Sequence, residues 1–237
     1  MFLTELQNAA ESFNIKFNDL QLAQFACYYK LVIDWNKKIN LTAITDPKDF
    51  AIKHIIDSVS VWNNDKFSKV ESVIDIGTGA GFPGIPLKVY KPEIKITVLD
   101  SLATRINFLK IAADEMKLED IVLVHSRAED SAHNSDFREK FDLAVSRAVA
   151  KLNILTEYDL PFVKIGGFFA ALKGSNVSEE LEESKRAIKT LGGFLEEYSK
   201  IKLPNGDERN LIYIKKIATS PNKFPRKAGT PEKKPLY

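Results

Sequence analysis

Apolar residues recur along the first part of the chain at near-helical intervals. Between residues 4 and 35, positions such as Leu20, Phe25, Leu31 and Trp35 stand among polar ones at spacings that predict helices with one apolar face. Asn18-Asp19 supplies a cap for the second of them. After the loop Thr45-Asp46-Pro47, the set Ile52, Ile55, Ile56 and Val59 predicts one more helix, ended by Asn63-Asn64-Asp65. From residue 70 short apolar runs alternate with amphipathic stretches. Strands are predicted at Val70–Ile76, Ile94–Leu99, Ile121–Val124, Phe141–Ser146 and Gly167–Leu172, with helices near 84–90, 103–116, 148–164 and 177–191. Each helix is long enough for the crossover that parallel strands need, so an α/β fold with a parallel sheet covered on both faces is expected. Phe194–Leu203 and Asn210–Ile217 flank the turn sequence Pro204-Asn205-Gly206-Asp207 and predict an antiparallel hairpin. Past Ile217, prolines 221, 225, 231 and 235 sit among basic residues and predict an irregular, extended tail. The chain thus divides into a helical N-terminal segment (1–65), an α/β domain (66–218) and a basic, proline-rich tail (219–237).

Composition narrows the function classes. Hydrophobic residues make up 44% of the 237 and charged ones 28%, and no apolar run reaches the ~18 residues of a spanning helix, so no membrane partner is expected. The first residues lack the features of a secretory signal, which makes a cytoplasmic location the expectation. One cysteine, Cys27, and three scattered histidines, at 54, 125 and 133, offer no spaced metal cluster. A metal-free monomer is expected. The net charge of +2 hides an uneven distribution, because residues 215 to 237 carry seven basic side chains and one acid.

The densest chemical signal follows the first predicted strand. Asp75-Ile76-Gly77-Thr78-Gly79-Ala80-Gly81-Phe82-Pro83-Gly84 sets four glycines within eight residues. A strand, a glycine-rich turn and a helix form a place where backbone groups face a ligand at close range. Gly79 to Gly84 spells the dinucleotide fingerprint G-x-G-x-x-G, which keeps an NAD-dependent oxidoreductase open. Pro83 and Pro86 would interrupt that turn, and Asp75 would place a carboxylate where a pyrophosphate must sit. S-adenosylmethionine has no phosphate, and its ammonium and sulfonium groups favour nearby negative charge. The turn is therefore expected to bind S-adenosylmethionine.

Three further strand ends carry candidates. Asp100 ends the second strand, placed either to accept from ribose hydroxyls or to cap the next helix. Ser126-Arg127-Ala128-Glu129-Asp130 follows the third strand, where this architecture contacts adenine, with a solvated loop as the alternative. Ser146-Arg147-Ala148 ends the fourth, and Arg147 there is a candidate to pair with a cofactor carboxylate or position a target base.

These motifs resemble the RsmG (GidB) family of bacterial 16S rRNA guanine-N7 methyltransferases. The resemblance runs over essentially the whole chain, through Trp35-Asn36-Lys37, Asn40-Leu41-Thr42-Ala43-Ile44, His54-Ile55-Ile56-Asp57-Ser58, the turn Asp75 to Gly84, Leu99-Asp100-Ser101-Leu102, Arg127-Ala128-Glu129, Ser146-Arg147-Ala148 and Pro225-Arg226-Lys227-Ala228-Gly229-Thr230-Pro231. It implies a Rossmann-like class I S-adenosylmethionine-dependent methyltransferase fold, with a mostly parallel seven-stranded sheet, a C-terminal antiparallel hairpin and a helical N-terminal segment. It implies S-adenosyl-L-methionine as cofactor, held at Gly77, Phe82, Ala128, Glu129 and Arg147. The reading of the turn and strand ends adds Asp75, Thr78, Gly79 and Asp100. The implied substrate is a guanine in the 530 loop of 16S ribosomal RNA, presented as RNA or as the small ribosomal subunit. The chain departs from the family at Thr104-Arg105, where lysine often precedes the arginine, and at Phe224, where tyrosine often precedes Pro-Arg.

Methyl transfer from a sulfonium is an in-line displacement, so positioning is the main task. Guanine N7 has an in-plane lone pair and needs no general base, and the sequence offers no obvious one. Arg147 is the positioning candidate, with Asn40 and His54 as candidate walls; packing or capping is the alternative for His54. Pyrimidine C5 chemistry needs a cysteine nucleophile, whereas Cys27 sits among Phe25, Ala26 and Tyr28 as a core residue. Asp159-Leu160-Pro161-Phe162 looks like the turn of exocyclic-amine methyltransferases but lies about 12 residues too late. The basic tail is expected to be a phosphate-binding arm that orders on RNA. Two rivals stay open, the oxidoreductase and a noncatalytic RNA-binding ribosome assembly factor.

Overall fold

The computed structural model describes residues 1–147, 149–174 and 177–237. Seven strands, β1 (Ser72–Ile76), β2 (Lys95–Asp100), β3 (Ile121–His125), β4 (Phe141–Arg147), β5 (Val163–Lys173), β6 (Gly193–Lys202) and β7 (Glu208–Lys216), form one sheet in the order β3-β2-β1-β4-β5-β7-β6. β1 to β5 are parallel, and β7 runs antiparallel to both β5 and β6. The strand order reverses between β1 and β4, and the carboxyl ends at such a switch point are where open sheets bind ligands.

The apolar pattern locates all seven strands but misses a bulge. β5 starts at Val163, and the register with β4 shifts between Phe141 and Leu143. Gly166 takes φ of +90° there, and a Cβ on Gly167 would meet the Asp142 carbonyl oxygen at 2.5 Å. The helix expected over 148–164 is shorter, Leu152–Asp159 followed by a 3-10 turn at Leu160–Phe162, because Pro161 has no N–H to continue it. Ala148, its expected start, lies outside the described residues.

Alternate side chains of the sheet feed two apolar layers. Val73, Val98, Val145 and Ala170 join one, while Ile74, Leu99, Ala144 and Phe169 join the other. The first layer also contains Leu6, Phe25, Tyr28, Phe50 and Ile55, so the N-terminal helices share a core with the sheet. Their attachment is specific. Asn18 caps the helix Asp19–Asn36 by accepting from the Gln21 amide at 2.9 Å, and the Gln21 side chain accepts in return from the Asn18 amide at 2.9 Å. The same Gln21 side chain donates to the carbonyls of Val89 and Tyr90, at the end of the helix Gly84–Tyr90.

The helix expected around Ile52 to Val59 starts earlier, with Asp46 as its cap and Pro47 in its first turn. Its middle, Ala51–Ile56, is a π-helix between α-turns Pro47–Phe50 and Asp57–Val59. Asn63 caps one more turn, Asn64–Phe67, rather than simply ending a helix.

The tail departs most from expectation, being docked rather than extended. Phe224 is buried in the second layer. The Arg138 guanidinium donates to the carbonyls of Phe224 and Ser220 at 2.9 Å each, and the chain closes with the short helix Thr230–Lys233. Prolines exclude the tail from the sheet ladder, but they do not prevent side chains and carbonyls from packing.

Replacing Asn18 by Ala should lower stability by about 1 kcal/mol, the usual worth of a cap. Gln21→Ala should cost more, since it also releases Val89 and Tyr90. Urea midpoints with unchanged slopes measure both; equal losses would show that the Gln21 contacts to the sheet layer contribute nothing.

Candidate functional site

The glycine turn after β1 is fastened from behind. Asp75 is fully buried, and its Oδ2 accepts from the Thr78 hydroxyl at 2.5 Å and from the Gly84 amide at 2.7 Å. Gly77 and Thr78 both donate their amides to the Leu99 carbonyl on β2, and Gly79 donates to Asp100 Oδ2 at 2.9 Å. The amides of Gly81 and Phe82 return to the Thr78 carbonyl. The Tyr28 hydroxyl, from the N-terminal helices, donates to the Ala80 carbonyl. Six N–H groups of the turn are thus engaged inside the protein. A pyrophosphate cradle needs such groups free, so the G-x-G-x-x-G spelling here lacks the function that it suggests. Positive φ at Gly77 and Gly81 makes the winding possible, and a Cβ at Gly81 would collide with Tyr28, Ile85 and Leu109. At Gly79 a Cβ would meet nothing within 4 Å, so that glycine faces open space.

That space is one end of a trough along the carboxyl edge. A cavity of about 420 Å³ is lined by Gly77 to Ala80, Phe82, Asp100, Arg105, Arg147, His54 and Leu41. A second, of about 280 Å³, shares Gly77, Ser101 and Val149 with it and continues over Ala128, Glu129 and Tyr158 to Gly229 and Glu232 of the tail. A third, of about 430 Å³, adjoins the first through His54 and Arg147 and is lined by Lys53, Asp57, Lys173 and Arg209. A larger groove of about 540 Å³, between the first two helices, presents Ala10, Ile15, Phe17 and Leu22 and lies away from the strand ends.

Arg147, at the end of β4, joins the sheet to the N-terminal segment. Its Nη1 donates to the Lys53 carbonyl at 2.7 Å and to Asp57 Oδ2 at 3.1 Å, and its Nη2 lies 2.9 Å from His54 Nδ1. Arginine only donates, so Nδ1 is the acceptor and the imidazole proton sits on Nε2, directed at the Thr42 hydroxyl 2.7 Å away. Burial, with the Arg147 charge added, lowers the His54 pKa to about 3 and keeps the ring neutral. The ring stacks on Phe82 with centroids 4.1 Å apart and planes 10° apart, and the guanidinium carbon lies 4.9 Å from the same Phe82 centroid. The π-helix supports this arrangement, for its wide turn carries both His54 and the Lys53 carbonyl.

The trough therefore brings together Gly77, Thr78, Gly79, Phe82, Asp100, Ala128, Glu129 and Arg147. Asp75 is the exception and corrects the sequence reading: its carboxylate lines none of these cavities but is folded under the turn that does. Asn40 is exposed and does not line them either, whereas neighbouring Leu41 does. Of its two expected roles Asp100 shows the capping one, accepting from the Leu102 amide at 2.9 Å; it also holds the Gly79 amide, with Arg105 3.3 Å away, and it lines the trough. Asp159 to Phe162 are buried between a helix and β5, and the Asp159 carboxyl is bonded by Ser146. The sequence reading missed Thr42, Asp57, Tyr28 and the tail's Gly229 and Glu232. His54 and Asp57, polar and three apart within an apolar helix face, were the available signal.

The buried carboxyl of Asp75 yields a pH prediction. Burial raises its pKa from 3.8 to about 7, opposed by the bonds from Thr78 and Gly84. A raised acid favours the folded state below its unfolded value, and that stability is lost as pH climbs from 3.8 to about 7. Asp75→Asn retains an acceptor without the titration, so its stability should fall less than the wild type's over this window. Comparing variant with wild type cancels His54, which acts in the opposite sense. Urea midpoints that run parallel would contradict a buried, proton-holding Asp75.

Comparison with known proteins agrees with this geometry. A family model described as rRNA small subunit methyltransferase G matches residues 21–212. Ribosomal RNA small subunit methyltransferase G of Clostridium tetani is 48% identical over 232 residues, covering 98% of this chain and 97% of that one. The protein of the same name from Clostridium botulinum is 47% identical over 236 residues, 99% of each chain. Among solved structures, M. jannaschii TYW2 in complex with AdoMet aligns with a TM-score of 0.54 at 16% identity, over 76% of this chain and 80% of that one. A variant of the 16S rRNA (adenine(1408)-N(1))-methyltransferase from Catenulisporales acidiphilia gives 0.53 at 12% identity, over 70% and 94%. Such identities show a shared fold, here that of class I methyltransferases. The family model and the full-length relatives show more: this chain belongs to the rRNA small subunit methyltransferase G (GidB) family.

Proposed function

We propose that the chain transfers a methyl group from S-adenosyl-L-methionine to N7 of a guanine in the 530 loop of 16S ribosomal RNA. The observation that carries the reading is the glycine turn, whose amides are engaged within the protein while Gly79 opens onto the trough. Such a turn suits a ligand without phosphates. The acids along the trough, Asp100, Glu129 and Glu232, suit a ligand with a cationic centre and several hydroxyl and amino donors.

Ala128 and Glu129 would hold the nucleoside end, with Asp100 toward the ribose; a carboxylate has about four acceptor sites, so its bonds to Gly79 and Leu102 leave capacity. Gly77, Thr78, Gly79 and Phe82 would hold the amino-acid end. When bound, the sulfonium supplies an electrophilic methyl carbon to the in-plane lone pair of N7. No proton has to leave N7. This matches a site in which His54 is neutral and both its nitrogens are engaged, so that it does not serve as a base. Arg147 commits three of its five N–H groups to Lys53, Asp57 and His54, leaving two for an acceptor on the cofactor or the base. The flat wall of His54, Arg147 and Phe82 is suited to orienting a planar, polar ring.

The test is methylation of small ribosomal subunits, or free 16S rRNA, lacking this modification. Reductive cleavage at 7-methylguanosine followed by primer extension should give a stop in the 530 loop. A stop elsewhere would overturn the site, and RNA binding without transfer would favour a noncatalytic assembly factor. Arg147→Lys keeps the charge but not the fork, and should lower kcat/KM by about 100-fold, as expected when a positioning group is lost. In Arg147→Ala the His54 pKa should rise above about 3, because one of the two influences that lower it is gone; NMR titration of the ring reads this independently of activity.

A further inference from the structure

The tail closes the nucleoside cavity from outside. Its anchor is Arg226, whose backbone amide and Nε donate to Glu157 Oε1 at 2.8 and 2.9 Å while Nη2 donates to Oε2 at 2.6 Å. The Glu157 side chain is 1% exposed. A carboxylate so buried is strongly unfavourable unless paired, so Arg226 is a required partner rather than a surface cation. Glu157 immediately precedes Tyr158, which lines the same cavity. Upstream, His133 Nε2 lies 2.8 Å from the Pro225 carbonyl, so the approach to Arg226 is also tied to the edge that carries Ala128 and Glu129. Downstream, the Gly229 amide donates to Glu129 Oε1 at 3.0 Å, and φ of +75° at Gly229 turns the chain into Thr230–Lys233. Gly229 and exposed Glu232 then become part of the cavity lining.

This arrangement opposes a free RNA arm. Lys216 is buried, donating to the Leu160 carbonyl and the Ser220 hydroxyl, and Arg226 is half-buried with its Nε and Nη2 committed to Glu157. Two of the seven basic residues between 215 and 237 are thus paired within the protein before any RNA arrives.

We propose that residues 226–232 are a cofactor-binding element, in which the Arg226–Glu157 pair latches the tail so that Glu232 accepts a hydrogen bond from an amino or hydroxyl group of the adenosine. The inference rests on the S-adenosylmethionine reading and assigns the nucleoside cavity a wall outside residues 21–212, where the family model matches.

Calorimetry on the full chain tests it with S-adenosylmethionine, S-adenosylhomocysteine and 5′-deoxy-5′-methylthioadenosine, the last carrying the adenosine without the amino acid. Glu232→Ala changes an exposed side chain, and should weaken all three by about 10-fold, the worth of a hydrogen bond to a charged group. The double variant Glu157→Gln with Arg226→Ala unlatches the tail without stranding a buried charge, and should weaken all three at least as much. In the wild type, methylthioadenosine should slow hydrogen exchange at residues 226–233. Folded variants that bind all three probes with wild-type affinity would overturn the proposal, as would variants that lose affinity for 16S rRNA alone. If the double variant fails to fold, Glu232→Ala decides by itself. A wild-type chain that binds none of the probes would instead overturn the cofactor reading.

Discussion

The buried Asp75 carboxyl under the glycine turn governs what lies in front of it. A turn with positive φ at several residues has no secondary structure of its own, and its shape must be imposed. Asp75 supplies two of the fastenings, Leu99 and Asp100 on β2 supply three more, and Tyr28 reaches in from the N-terminal helices. The outcome is a floor whose donors are committed to the protein's own acceptors. Two glycine turns with the same spelling can therefore serve opposite ligands, depending on whether their amides are left free or engaged.

The second joint is Arg147. It ends β4, yet its guanidinium is held by Lys53, His54 and Asp57, so the fourth strand and the N-terminal segment form one wall. The segment is thus not an accessory to the sheet. It carries His54, which burial and Arg147 keep neutral, sets that ring against Phe82, and steadies the turn through Tyr28. Apolar packing brings these elements together, and polar contacts give them one orientation.

How much of this was legible in the sequence follows from the range of each interaction. Strand runs such as Val73 to Ile76 and the cap at Asn18 are local, and they were read correctly. The bulge near Gly166 depends on register with β4, and the docking of the tail depends on Glu157, 69 residues from Arg226. No periodicity reports such partners. Asp75 was singled out from the turn, but a sequence does not tell which side of a loop a carboxylate occupies. Arg147 was found by its place at a strand end and His54 as a candidate wall, while their pairing across 93 residues emerged only from the fold.

The π-helix at Ala51–Ile56 has a consequence of its own. An α-helix advances about 100° per residue, so one surplus residue in a wide turn sets the angular phase of everything after it. Here that phase aims Asp57 at Arg147 while Ile55 and Ile56 remain in the core. The segment is consequently constrained in length as well as in composition. A deletion there that kept every apolar residue would still rotate the carboxylate away, so the tolerated variation is in which residues occupy the turn and not in how many.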